Sequence, residues 1–534
     1  MEEKLNSIIN VFQQFNDLKI IKNFEIIDSY VVGKIEVSCV LKPNIIFEVT
    51  ISNNYPVKEG GTESIRFVNE DLKKYSHINF DGSVCFHNPT HPNLEYKLEF
   101  DIKALFEWVD KYYIKELNDG HFEYLFYKNQ DENQIFLFSN PDNSLTKNDF
   151  GFMFFSKHNK FNDKNTFLIQ GLKSQAGNHN IIFGWSKYYS GFQGANKGLY
   201  YIAEKSPVYY RNFAYEKWSD FGTVFSNDFL KFLNDSKRHL ERKHLLDNKY
   251  LILLYGYPID KDKVHFETLK IDFYNLPIFK NEISEDPIIW CKTVDSSYEL
   301  FFGRGKLDKG LTEKKILILG VGAVGSNLSE SLVRGGCKYV DILDYDVKEV
   351  GNICRGKYNF MHGERQKVDE LKFSLIAISP FVNVETYNFP LLPLQTLPDL
   401  KKYYIDYFNK YDFIFNCTAS NDVNIILDQL EIRNRIIIGM SISNHANDLV
   451  CIIENDNIYN RNSEIFKEIN QDLIDMFNPQ GCWNPTFKAS FHNINTLVNL
   501  ALSNIDLKLN KGKVLKTFVL QVEKESNYKI NLKD

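Results

Sequence analysis

At roughly 100–200 residues per domain, a chain of 534 residues is long enough for about three domains, each with its own core. Its 43% hydrophobic and 25% charged content excludes a disordered chain, and a formal net charge of −6 with no long Lys/Arg run excludes the electrostatic footprint of a nucleic-acid binder. The most apolar runs, LILLYGY from Leu251 and ILILGVGAVG from Ile316, are too short for a membrane span, and the opening MEEKLNS lacks an apolar secretory core. The expectation is a cytoplasmic protein with no nucleic-acid and no membrane partner. Eight cysteines without a C-x-x-C pair argue against disulfide frameworks and four-cysteine zinc sites in a reducing compartment.

From the first residue onward, Leu5, Ile8, Ile9, Phe12 and Phe15 recur at helical intervals and predict an amphipathic helix. The runs VVGKIEVSCVL and NIIFEVTIS predict strands parted by Lys42 and Pro43, after which Tyr55-Pro56 and Gly60-Gly61 break the pattern. A loop around Cys85 precedes DIKALFEWVDKYYIKEL, where Ile102, Leu105, Phe106, Val109 and Tyr113 return to helical spacing. Residues 1–135 therefore read as one α+β domain, bounded by the Asn/Asp-rich stretch Asn129–Asp149. Residues 136–300 alternate aromatic strand-like runs with one charged helix near Asn227 to Leu246, a middle α+β region without a chemical motif. His239 and His244 lie five apart, a spacing that does not stack on one helical turn and suits a solvated surface better than a metal site. Residues 301–534 open on a strand, KKILILG, followed by a glycine turn and a helix with Leu328, Leu332 and Val333 inward, ended by Gly335-Gly336, and then the strand YVDILD. This is a Rossmann-like α/β opening.

Gly320, Gly322 and Gly325 form G-x-G-x-x-G directly after a strand and at the head of a helix, with Asp344 19 residues past the last glycine. Alone this would favour a nicotinamide cofactor over ATP. The following run, LDYDVKEVGNICR from Leu343 to Arg355 and GERQK ending at Lys367, resembles the adenylation site of the ubiquitin-activating, ThiF and MoeB family, which carries D-x-D-x-V, N-x-x-R and a lysine about twelve residues on. The resemblance implies that Asp344 holds the ribose of ATP, while Asn352, Arg355 and Lys367 hold its phosphates. Attack of a carboxylate on an α-phosphorus brings two anions together, and fixed cations offset that repulsion, whereas hydride transfer has no such need. The family's magnesium aspartate sits in D-x-T-D-N; here the segment reads NCTASND, Asn416 to Asp422, so Asp346 or Asp422 is the expected Mg2+ ligand. Arg304, in FFGRGKL, matches either an arginine that these dimeric enzymes extend to the partner site or a surface residue.

Two cysteines are candidate nucleophiles. Cys482 lies in PQGCWNPTF, where Pro479, Gly481 and Pro485 predict an accessible turn ahead of an apolar helix from about Ile494 to Ile505, a position similar to the thioester cysteine of ubiquitin-activating enzymes; the rival is a structural cysteine packed by Trp483. Cys85 lies in HINFDGSVCFH, His77 to His87, which resembles the H-P-N loop and catalytic cysteine of the ubiquitin-conjugating fold, with Asn79 in the oxyanion position and Ile78 in place of proline. His77, Cys85, His87 and His91 are also spaced for zinc or for hydrogen bonding within the loop. The other six cysteines are expected to be packing residues.

A conjugating-like domain first and an activating-like domain last resemble the fused E2–E1 family of bacterial CBASS anti-phage operons. That resemblance implies an α/β and α+β multidomain enzyme that, with ATP and Mg2+, activates a protein C-terminal carboxylate as an acyl adenylate. A thioester on Cys482, transfer to Cys85 and conjugation to an acceptor amine follow. It also implies that the middle region, residues 136–300, is a linker domain, and it implies a homodimer and an activated partner that is a cGAS-like nucleotidyltransferase or a ubiquitin-like protein. A sulfur-carrier adenylyltransferase, a non-catalytic scaffold and a nicotinamide oxidoreductase are the other classes left open.

Overall fold

The computed structural model describes residues 2–79, 81–86, 88–117, 125, 130–141, 145–161, 164–175, 180–190, 196–210, 215–238, 240–260, 263–275, 285–363, 365–430, 432, 435–469, 473–478, 486–522 and 528–532. Two compact units divide the chain, Met1–Phe183 with Phe192–Asp295, and Gly184–Gly191 with Ser296–Asp534.

The first unit begins with the helix Glu2–Gln13, which buries Ile8, Val11 and Phe12. An antiparallel sheet follows in the order β1 (Leu18–Ile27), β2 (Tyr30–Val37), β3 (Ile45–Ser52) and β4 (Ile65–Val68). In β2 and β3 every second residue is buried, from Val31 to Val37 and from Ile45 to Ile51, as one covered face demands. That face meets Leu98, Ile102 and Leu105 of the helix Leu94–Trp108, which starts where Asn93 Oδ1 accepts from the Tyr96 N–H at 2.9 Å. β1 buries only Leu18 and Phe24, which is why it lacks a strand-like alternation in the sequence.

A second sheet runs β5 (Gln130–Phe138), β12 (Ile289–Asp295), β11 (Lys263–Asp272), β10 (Tyr250–Asp260), β9 (Asn196–Ile202), β6 (Phe150–Phe161), β7 (Lys164–Ser174) and β8 (Asn180–Ile182), and a β5–β7 pairing closes it on itself. Its aromatic interior includes Tyr201, Tyr215, Phe221, Phe225, Tyr255 and Trp290. Two local expectations are corrected. β5 begins inside the polar stretch read as a boundary, because Gln134, Phe136 and Phe138 point alternately inward. The charged helix ends at Asp235, its remainder breaking into short turns at Ser236–Arg238 and Arg242–His244.

The second unit holds a sheet ordered β15 (Thr386–Tyr387), β14 (Tyr339–Leu343), β13 (Lys315–Leu319), β16 (Phe413–Asn416), β17 (Ile436–Ile442), β18 (Asp448–Ile453), β19 (Phe518–Val522) and β20 (Tyr528–Leu532), parallel through β17 and antiparallel after it. β13 is covered on both faces: Ile316 and Ile318 enter the core shared with the helices Ala323–Arg334 and Phe491–Asn510, while Leu317 and Leu319 enter the other with the helix Leu400–Phe408. Chain order reverses at β13, with β14 on one side and β16 on the other, and the crevice at their carboxyl ends is where such sheets bind ligands. Among the described residues no helix is long and apolar enough to cross a membrane.

Candidate active sites

The glycine turn after β13 shows three different reasons for glycine. Gly320 has φ +78°, and a Cβ there would lie 2.8 Å from Thr418 Cγ2. At Gly325 a Cβ would fall 2.0 Å from the Gly320 carbonyl oxygen, so the helix could not close on the turn. At Gly322 a Cβ would meet nothing within 4 Å, because this residue borders a cleft of about 300 Å³. Gly320, Asp344, Asp346, Lys367 and Asp422 line the same cleft.

Asp344 braces the turn. Its Oδ2 accepts from the Val321 N–H at 2.8 Å and its Oδ1 from the Asp346 N–H at 2.9 Å, and burial pushes its carboxyl above the usual aspartate range. The nearly buried Lys367 ammonium lies 2.7 Å from Asp346 Oδ2, whose side chain is half exposed. Asp422 is exposed at the head of the helix Asn421–Leu430, next to a buried Asn416–Asn424 amide contact of 2.8 Å.

A second cavity, of about 920 Å³, is lined by Asn352, Arg355 and Thr486, and shares Asp346 and Lys367 with the first. Asn352 Oδ1 accepts from the Glu349 N–H at 2.9 Å, closing a capping box, and Arg355 Nη1 donates to the Phe487 carbonyl at 3.2 Å with its guanidinium over the Phe487 ring. Beneath them Lys348 and Glu370, both buried, pair at 2.6 Å. Burial pushes the Glu370 carboxyl up, but the Asn359 N–H and the Lys348 ammonium outweigh it and hold the group below its ordinary value. The pair clasps the strand-to-helix crossover, since Lys348 Nζ also donates to the Asn359 carbonyl and Glu370 Oε1 accepts from the Asn359 N–H, each at 2.7 Å.

These residues fit a magnesium nucleotide: a glycine turn without a side chain at Gly322, a buried carboxylate at Asp344, a cation at Lys367, and the hard oxygen donors of Asp346 and Asp422 facing one cleft. Among the described residues no group of three or more His, Cys, Asp and Glu forms a ready-made metal cluster, so Mg2+ here would rely on one or two carboxylates together with phosphate oxygens.

In the first unit, Asn79 and Cys85 line one cleft of about 490 Å³. The loop between them folds back on itself: the Asn79 N–H donates to the Ser83 carbonyl at 2.7 Å, the Cys85 N–H to the His77 carbonyl at 2.8 Å, and the Val84 N–H to the Phe67 carbonyl of β4 at 3.0 Å. Six residues thus suffice to bring asparagine and cysteine to the same opening. His77 packs its ring 4.6 Å from that of Tyr112, and His91 Nδ1 accepts from the Asn93 N–H at 3.1 Å.

Comparison with known proteins finds matches to part of the chain. Residues 297–470 match the ThiF family. The chain is similar to the ATP-dependent ubiquitin transferase-like protein Cap2 of Enterobacter hormaechei subsp. hoffmannii, with 25% identity over 39% of this chain and 35% of that protein. It is 28% identical to the molybdopterin-synthase adenylyltransferase of Haemophilus influenzae over 29% of this chain and 54% of that protein. The chain thus spans about a third to a half of these relatives' lengths. The crystal structure of E. coli MccB with ATP matches with a TM-score of 0.30 and 16% identity over 42% of this chain and 64% of that one.

The ThiF region contains every nucleotide-site residue expected from the sequence. Arg304 is exposed within it. Cys482, with Pro479, Gly481, Trp483 and Pro485, lies outside the described residues, as do His87 and His239. One expectation for the cysteines is corrected: Cys291, Cys337, Cys417 and Cys451 are buried and Cys39 is half-buried, but Cys354 is exposed, because it occupies the short turn that aims Asn352 and Arg355. Sequence reasoning missed Lys348, Glu370 and Tyr358, whose hydroxyl donates to the Val321 carbonyl. The first two sit two and three residues past Asp346 and Lys367, so the signal was a charged pair flanking the motif residues.

Proposed function

We propose that this chain activates a protein C-terminal carboxylate with ATP and Mg2+ and passes it through thioesters to an amine. The observation that carries the reading is the pair of adjoining cavities joined at Asp346 and Lys367, one beside the glycine turn and the other beside Asn352 and Arg355. Asp344 accepts from ribose hydroxyls, the bare Gly322 edge admits the phosphates, and Lys367 and Arg355 offset the charge as the carboxylate oxygen attacks the α-phosphorus and pyrophosphate leaves. Magnesium, when bound through Asp346 or Asp422, supplies further positive charge to the phosphates. Lys348 and Glu370 keep the crossover, and with it Asn352 and Arg355, in place.

Cys482 then displaces AMP. Among the described residues, Phe477 and Thr486 exchange hydrogen bonds of 2.8 and 2.9 Å, and Thr486 lines the second cavity. Transfer to Cys85 and attack by an amine, with Asn79 beside the oxyanion, complete the sequence. The chain organisation is a conjugating-like domain (1–135), a linker (136–300) and an adenylating domain (301–534), acting in the cytoplasm as a homodimer. The activated partner is a cGAS-like nucleotidyltransferase or ubiquitin-like protein, whose conjugation serves anti-phage defence. The similarity to Cap2 supports this assignment.

Intact mass after incubation with Mg-ATP and the protein encoded beside this one tests it, for wild type, Cys482→Ala and Cys85→Ala. The expected result is an adduct on Cys482 in Cys85→Ala and none on either cysteine in Cys482→Ala. Acyl adenylate without any thioester would instead favour a sulfur-carrier adenylyltransferase, and no acyl product at all a scaffold.

A further inference from the structure

We propose that Ser83 and Asp81 are positioning residues that orient the Asn79 amide toward an acyl group on Cys85, an inference that rests on the conjugating role proposed for this cleft. All four residues line it. Ser83 is buried, and two polar contacts of its hydroxyl leave it a single arrangement. Its Oγ lies 2.5 Å from Asp81 Oδ1, which also accepts from the Ser83 N–H at 3.0 Å. An ionised carboxylate only accepts, so the Ser83 hydroxyl must donate to it. The Ser83 oxygen is then left to accept, and it does so from Asn79 Nδ2 at 3.0 Å. Asp81 is itself held from the other side by Arg66, whose Nη1 lies 3.1 Å from Asp81 Oδ2.

The chain Arg66–Asp81–Ser83–Asn79 therefore decides which end of the asparagine amide is nitrogen. One Nδ2–H is given to Ser83, and because the amide is planar this fixes the line along which its second N–H points. In the step served, the amine nitrogen forms a C–N bond to the thioester carbonyl carbon and the carbonyl oxygen takes up negative charge. The C–S bond then breaks with Cys85 leaving as thiolate, and the amine's proton passes to solvent. An N–H at a fixed angle stabilises the developing oxyanion, whereas an amide free to flip would present its own oxygen half the time.

The test is single-turnover discharge on the full-length chain. Cys85 is loaded from a synthetic glycine-terminated peptide thioester, the site is verified by peptide mapping, and loss of the acyl group to free lysine is followed by mass on the loaded fraction alone. Ser83→Ala should slow discharge about tenfold, the rate equivalent of one neutral hydrogen bond, and Ser83→Thr should restore it. The double variant Asn79→Ala/Ser83→Ala should be no slower than Asn79→Ala, because Ser83 acts through the asparagine. Asp81→Ala should also slow discharge, which keeps the test open if Ser83→Ala does not fold. Wild-type rates in Ser83→Ala and Asp81→Ala alongside a slow Asn79→Ala would overturn the inference and leave the cleft's role standing, as would multiplicative losses in the double variant. A Cys85 that does not load, or an Asn79→Ala that discharges at the wild-type rate, would remove the conjugating role and the inference with it.

Discussion

The glycines of the turn after β13 make separable predictions, because a methyl group meets different things at each. At Gly325 it would lie 2.0 Å from the Gly320 carbonyl oxygen. Real contacts of this kind stay beyond 3.0 Å, so backbone must move by at least 3.0 − 2.0 = 1.0 Å. With backbone on both sides of the clash, overpacking at the upper end of its ordinary range applies, about 3 kcal/mol. For a unit of this size, about 2–4 °C is lost per kcal/mol, so Gly325→Ala should lower the melting point by about 6–12 °C. At Gly322 the methyl meets nothing, and the variant should stay within about 0.5 kcal/mol of wild type. It would, however, stand in the space that phosphates must enter. Saturating Mg-ATP at about 100 times its dissociation constant should stabilise wild type by about 2.7 kcal/mol and Gly322→Ala by none. Scanning calorimetry of the full chain with and without Mg-ATP reads both effects. The reasoning is refuted if Gly322→Ala melts as low as Gly325→Ala, or if it keeps the whole nucleotide-induced shift.

Three further outcomes are expected. Lys97 and Asp101, both fully buried and 2.5 Å apart, form a pair whose Asp101 also accepts from the Tyr55 hydroxyl at 2.9 Å; Lys97→Met strands the carboxylate and should cost about 3–5 kcal/mol in denaturant unfolding. Burial raises the Asp344 carboxyl above its ordinary value, so its protonated form gains in the folded chain and its contribution to stability declines as pH climbs from the unfolded value through the folded one. Nucleotide affinity, which uses the carboxylate, should weaken with acidification at a higher pH than an ordinary aspartate would give, and calorimetric titration of Asp344→Asn should lack that dependence. Iodoacetamide should label the exposed Cys354 in the folded chain, while Cys337, Cys417 and Cys451, buried and pushed well up, and Cys291, pushed up to about 12, wait for unfolding; peptide mass mapping over time decides it.

Most of the candidate nucleotide site was legible in the sequence, because a phosphate-binding turn would need glycines at set intervals and its charged partners follow within one crossover. Its two-chamber arrangement was not legible: nothing in the spacing of Asn352, Arg355 and Lys367 says that Lys367 faces both cavities. β1 was missed since only two of its side chains are buried, and β5 was missed since its first five residues, Gln130 to Gln134, are all polar. The Asn79–Cys85 opening was legible as a motif, but the role of Ser83 depends on a folded-back loop whose contacts no periodicity encodes. Lys348 and Glu370 were passed over because the sequence shows two charges 22 residues apart, not one buried pair.

Sharing Lys367 between two chambers has a thermodynamic consequence. Whatever draws its ammonium from Asp346 on one side changes the charge that the other side presents, so the occupants of the two cavities are linked. Under the proposed function, reciprocity requires that nucleotide alter the affinity for the carboxylate-bearing tail by the same factor by which the tail alters the affinity for nucleotide. A single shared ammonium thus means that neither cavity can be filled without changing the charge that the other one offers.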